Sequence, residues 1–167
     1  KAEHGADKVF DFSLGNPNLP PPEKFNEILR DTVDSCGLGD HCYMPQAGYP
    51  QVCESIAEYL QDEQGVSISS DEIIMTCGAA GALNVIFKAL LDPGDEVLTP
   101  TPCFVEYRFY ADNHGGVLKM VGTRPDFTLD LDAIAAAITE KTKVMLINSP
   151  NNPTGQIYSK QSLDALG

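Results

Sequence analysis

The chain has 167 residues, 43% hydrophobic and 21% charged, enough for one sizeable core and a poor composition for disorder. Its 24 acidic residues outnumber 11 basic ones, and the net charge of −13 is spread along the chain rather than gathered in a tail. Such a surface disfavours nucleic acid, so any anionic ligand has to be held by local backbone donors.

No apolar run reaches transmembrane length, and the first residues lack a signal-peptide core, so no membrane association is expected and the cytoplasm is the default location. Five cysteines (Cys36, Cys42, Cys53, Cys77, Cys103) form no C-x-x-C pair, which points to a reducing compartment and to no structural metal. His4, His41 and His114 share no metal-site spacing. The chain opens at Lys1 and closes at Gly167 inside an incipient helix, so a fragment or a proteolysed chain is expected.

Residues 9–14 alternate apolar and polar side chains and predict a short strand, broken by Gly15-Asn16-Pro17. A helix is predicted from near Pro22 to about Ser35, with Phe25, Ile28, Leu29 and Val33 on one face. After a Gly- and Pro-punctuated loop, a second helix runs from about Gln51 to Gln64 and stops at Gly65. The pattern then changes to alternating strand and helix. Strands are predicted at Ile73–Thr76, Glu96–Thr99, Val117–Val121 and Val144–Asn148. Helices are predicted at Ala79–Leu91, with Leu83, Ile86, Phe87 and Leu90 inward, at Phe104–Asn113, and at Leu131–Ile138 capped by Asp130. The alternation predicts α/β architecture, a mainly parallel sheet with flanking helices.

Three stretches carry candidate chemistry. Thr76-Cys77-Gly78-Ala79-Ala80-Gly81 lies between a strand and a helix, where small residues admit a ligand and a helix start offers free N–H groups to a phosphate. The same residues also serve a plain tight turn. Asn148-Ser149-Pro150-Asn151-Asn152-Pro153-Thr154-Gly155 follows the last apolar strand, where ligands of open α/β sheets bind, although turn formers alone explain its composition. Pro100-Thr101-Pro102-Cys103-Phe104 puts an aromatic ring beside a strand end, able to stack on a planar ligand or simply to join the core.

Together these stretches, in this order and with Gly94-Asp95-Glu96-Val97 between them, resemble the class I/II aminotransferases of fold type I. The resemblance covers nearly the whole chain, from Gly15 to Gly155. It implies pyridoxal 5'-phosphate as cofactor, an amino acid and a 2-oxo acid as substrates, and a homodimer. By the same resemblance Ala79 and Ala80 match the pair that cradles the cofactor phosphate, Phe104 the aromatic that stacks on the pyridine ring, and Asn152 the asparagine that bonds the ring's phenolic oxygen. A hydroxyl residue often holds one of the first two places, so here only backbone donation is on offer. Tyr43 matches a tyrosine that reaches the phosphate of the neighbouring subunit. Gly15 matches the glycine whose backbone lies against the substrate carboxylate, and Asn152 counts with it among the substrate-binding residues. Residues 1–42 correspond to a segment contributing to the small domain, and 43–167 to the first part of the large cofactor-binding domain.

The family's Schiff-base lysine would lie beyond Gly167, so no catalytic residue is expected within these residues and the chain alone is expected to be inactive. Lys160 follows Asn152 too closely and fits a helix start capped by Ser159, with Leu163 and Leu166 inward. Lys88 and Lys119 are expected at the solvated surface. Two alternatives stay open: a fold type I lyase of the carbon–sulfur β-lyase kind, and a non-catalytic truncated assembly module. A sheet with uncovered faces predicts either tight dimerisation or further chain packed against it.

Overall fold

The computed structural model describes residues 2–10, 15 and 18–167, in two compact units, Lys1–Met44 and Pro45–Gly167. The first unit holds a 3-10 turn (Ala6–Lys8), helix α1 (Glu23–Ser35) and a second 3-10 turn (Leu38–His41). The strand predicted over 9–14 is not seen at Val9 and Phe10, and its remaining residues lie outside the described ones. Phe25, Ile28, Leu29 and Val33 of α1 are each 52–64% exposed, so among the described residues of its own unit nothing covers this apolar stripe.

In the second unit, α2 (Pro50–Gln64) starts with proline at its first position, where no N–H is needed. It ends at Gly65, whose left-handed φ of 66° lets its own N–H and that of Val66 turn back onto the Gln61 and Leu60 carbonyls. The segment 73–76 is extended but belongs to no ladder, which corrects the predicted strand. Its Met75 N–H is taken by the Ala47 carbonyl at 2.8 Å instead. Gly48 makes that approach possible, because a Cβ there would stand 2.5 Å from Met75 Cγ.

Three strands follow: β1 (Glu96–Thr101), β2 (Val117–Gly122) and β3 (Thr142–Met145), all parallel in the order β2-β1-β3. Helices α3 (Gly78–Leu90), α4 (Tyr107–Asp112), α5 (Leu131–Ala137) and α6 (Lys160–Asp164) flank them. The expected α/β class with a parallel sheet is therefore present.

The central strand β1 explains the core. Successive strand residues point to opposite faces. Val97 joins Phe87, Leu91, Tyr107, Tyr110 and Ala111 on one face, and Leu98 joins Val121, Leu129, Ile134 and Tyr158 on the other. Phe87, Val97 and Leu98 are fully buried, each contributing about 1.5–3 kcal/mol of apolar transfer. Ile86 and Leu90, predicted to face inward, are instead 44% and 53% exposed. Leu166 packs on the second cluster as predicted, while Leu163 stays 39% exposed.

Two further boundaries differ from prediction. Helix α4 is shorter, because 103–106 form the turn that redirects the chain out of β1. Strand β3 ends earlier because the next ladder donor, at position 100 of β1, is proline and has no N–H, and the Thr99 hydroxyl takes the Leu146 carbonyl at 2.9 Å instead. Asp130 caps α5 as expected, its carboxylate accepting from the Ala133 N–H at 3.0 Å.

Candidate functional site at the carboxyl edge of the sheet

Because β1, β2 and β3 run parallel, their carboxyl ends share one edge, and the loops leaving it cluster there. The loop after β1 carries Phe104, and the loop after β3 carries Asn152. A side-chain amide joins them: Asn151 donates from Nδ2 to the Pro102 carbonyl at 3.0 Å. Helix α3 returns toward the same edge. Its 13 residues span about 20 Å, the same as the six residues of β1, and its far end turns into β1 through Asp92–Asp95. Leu83 of α3 and Phe104 pack on one cluster of core residues. The start of α3, Phe104 and the Asn152 loop therefore belong to one end of the sheet.

The start of α3 is built for an anion. Cys77 has φ −73° and ψ 74°, an inverse γ-turn that brings the Gly78 N–H to the Thr76 carbonyl at 2.8 Å. Gly78 then takes φ 67°, which only glycine adopts without strain, and the helix proceeds. The first intrahelical bond runs from Gly81 N–H to the Cys77 carbonyl, and among the described residues no acceptor takes the N–H groups of Ala79 and Ala80. Both residues are exposed. Unpaired N–H groups at the positive end of a helix suit a phosphate, so the donor set fits one.

Asn152 is exposed, and its backbone N–H is held by Asn148 Oδ1 at 2.8 Å. Phe104 is half-buried and meets Tyr107 edge-on, ring centroids 5.7 Å apart at 78°. Burial raises the Tyr107 phenol, and it also raises the neighbouring Cys103 thiol, so both stay protonated at neutral pH. A cavity of about 530 Å³ is lined by Phe104, Cys103, Arg108 and residues of β2, and neither Ala79, Ala80 nor Asn152 lines it.

Gly15 and Tyr43 belong to the other unit, where both are exposed. Lys119, expected to be solvated, is half-buried and pairs with Glu96 at 3.3 Å. Lys160 begins α6, capped by Ser159 Oγ, and pairs with Asp164 at 2.6 Å. Among the described residues no cluster of metal-binding side chains occurs. Among the described residues no helix is long and apolar enough to cross a membrane.

The residue that sequence reasoning passed over is Asn151. It is 7% exposed and donates to Thr154 Oγ1 at 2.8 Å as well as to Pro102. In sequence it is one turn former among several. Only the fold shows that it is buried.

A parallel α/β unit with an open helix start and an asparagine loop at its carboxyl edge has the architecture whose ligands, in open sheets, bind at that edge. The chain belongs to the class I and II aminotransferase family, whose model matches residues 7–167. It is 40% identical over 157 residues to an aspartate/prephenate aminotransferase of Thermus thermophilus, covering 93% of this chain and 40% of that protein. A probable aspartate aminotransferase of Methanocaldococcus jannaschii is 36% identical over 155 residues, again with 93% and 40% covered. Among solved structures, an aminotransferase from Eubacterium rectale superposes with a TM-score of 0.90 at 36% identity, over 95% of this chain and 40% of that one. The chain thus spans about 40% of the length of these relatives.

Proposed function

We propose that these residues form the phosphate- and ring-binding part of a pyridoxal-phosphate aminotransferase that exchanges an amino group between an amino acid and a 2-oxo acid. The observation that carries this reading is the unpaired N–H pair of Ala79 and Ala80 at the same sheet edge as the Asn152 loop. The cofactor would supply an electron sink for the substrate's α-carbon. The Ala79 and Ala80 N–H groups hold the phosphate, the Phe104 ring covers one face of the pyridine, and the Asn152 amide donates to its phenolic oxygen. The family resemblance assigns Gly15 to the substrate carboxylate, Asn152 also to substrate binding, and Tyr43 to the phosphate of a second subunit, which makes the working unit a homodimer. Residues 1–42 serve the small domain and 43–167 the large one, in a cytoplasmic enzyme. The relatives' names make aspartate the first amino donor to test.

On this reading none of Lys88, Lys119 and Lys160 is the catalytic lysine, and the 167 residues alone do not turn over. The relatives' aminotransferase names favour amino transfer over lyase chemistry, and no observation favours a purely structural module.

The decisive experiment takes Asn152→Ala in the whole gene product. Loss of that hydrogen bond should weaken pyridoxal-phosphate affinity about tenfold, worth about 1.4 kcal/mol, and move the absorbance of the bound ring. Unchanged affinity and absorbance refute the assignment. Treating residues 1–167 with pyridoxal phosphate and borohydride should leave no one-to-one adduct on a single lysine, and finding one would overturn the expected inactivity.

A further inference from the structure

Among the described residues two polar side chains are buried, Thr99 and Asn151. Both cross between the same two segments. Thr99 Oγ1, on β1, donates to the Leu146 carbonyl just past β3, and Asn151, in the loop after β3, donates to the Pro102 carbonyl just past β1. A buried amide costs free energy unless its hydrogen bonds are made, and an apolar residue of similar size would fill the space without that cost. What the amide adds is direction.

Asn151 uses that direction fully. Its Nδ2 donates to Pro102 at 3.0 Å and to Thr154 Oγ1 at 2.8 Å, while its backbone N–H goes to the Gln156 carbonyl at 2.8 Å and its own carbonyl accepts from Gly155 at 2.7 Å. The loop is thereby closed on itself and pinned to its neighbour. Asn152 is the next residue, its N–H fixed by Asn148, and Phe104 is two residues beyond the pinned Pro102. Both ring-contacting groups thus hang within two residues of one buried amide.

We propose that Asn151 is a positioning residue: its amide sets the spacing between the Asn152 loop and the Phe104 loop, and so the fit of both to a planar phosphorylated ring. This rests on the reading above and adds a residue to it. Asn151 touches no ligand on this account. It acts through Asn152 and Phe104.

The test is a double-mutant cycle in the whole gene product, read by pyridoxal-phosphate dissociation constant and by the absorbance maximum of the bound ring. Asn151→Asp keeps the size and can accept from the Thr154 hydroxyl where the amide donated to it, but it cannot donate to the Pro102 carbonyl. It should raise the dissociation constant about tenfold and move the absorbance in the same direction as Asn152→Ala. In the Asn152→Ala background the same change should add less than in the unaltered protein, keeping only the part that acts through Phe104.

A shift of equal size in both backgrounds, or a lower melting temperature with affinity and absorbance untouched, overturns the proposal. Should Asn151→Asp fail to fold, Thr154→Val and Thr154→Ser decide: valine should move the absorbance and serine should not, and identical behaviour of the two overturns it. If Asn152→Ala itself changes nothing, the underlying reading falls. If Asn152→Ala acts and Asn151→Asp does not, this inference alone falls.

Discussion

The two ends of the parallel sheet use their polar groups in opposite ways. At the amino end, Glu96 accepts from Thr139 Oγ1 at 2.7 Å, Thr142 Oγ1 at 3.1 Å and Lys119 Nζ at 3.3 Å, and its own N–H goes to the Lys141 carbonyl. That end satisfies its polar groups internally and ties β1 to both neighbouring strands. At the carboxyl end, the N–H groups of Ala79 and Ala80 find no acceptor among the described residues, and Asn152 stands exposed. The lesson is one of division: one end of the sheet serves stability, and the other keeps its donors available for a partner.

Substitution tests this division. The largest effect should come from the shared middle, where Leu98→Ala removes a fully buried side chain and should cost about 2–5 kcal/mol, read from the denaturation midpoint. Any smaller cost would mean that the core collapses to fill the gap. Next, Gly78→Ala at the carboxyl end forces a Cβ into φ 67° and should cost about 1–2 kcal/mol, with nothing nearby for that Cβ to strike. Cofactor affinity should fall with it, and a stability loss with full affinity would separate the turn from the site.

The smallest effect at neutral pH belongs to the amino end. Glu96 is held below the ordinary carboxylate range, chiefly by the Thr139 hydroxyl, then by Thr142 and Lys119. Its stabilising contribution is therefore complete above the ordinary glutamate value and is lost as pH falls through the lowered one. Glu96→Gln should flatten part of the acid-side decline in stability and leave ligand affinity alone. An affinity change would break the division between the two ends.

Much of this was legible in the chain. Periodicity located β1 and β2, the helix stop at Gly65, and the cap at Asp130, because local turn chemistry and burial agree there. The extended residues 73–76 kept a strand's composition without a strand's partner, since ladder pairing depends on what lies alongside. The stripe on α1 gave the helix but not its environment, for the same reason. At the candidate site, the tight turn into α3 was visible in its small residues, whereas Asn151 was hidden because burial of a loop asparagine is a tertiary fact.

The turn into α3 has one more consequence. Peptide N–H groups hold their protons across the whole range in which an enzyme works, so the proposed phosphate grip would have no titration of its own here. Affinity contributed here should track only the ligand's second ionisation, near pH 6, rising as the monoanion becomes the dianion. A cradle made of main chain also tolerates change in the side chains at 79 and 80, provided that they stay small enough to leave the opening clear.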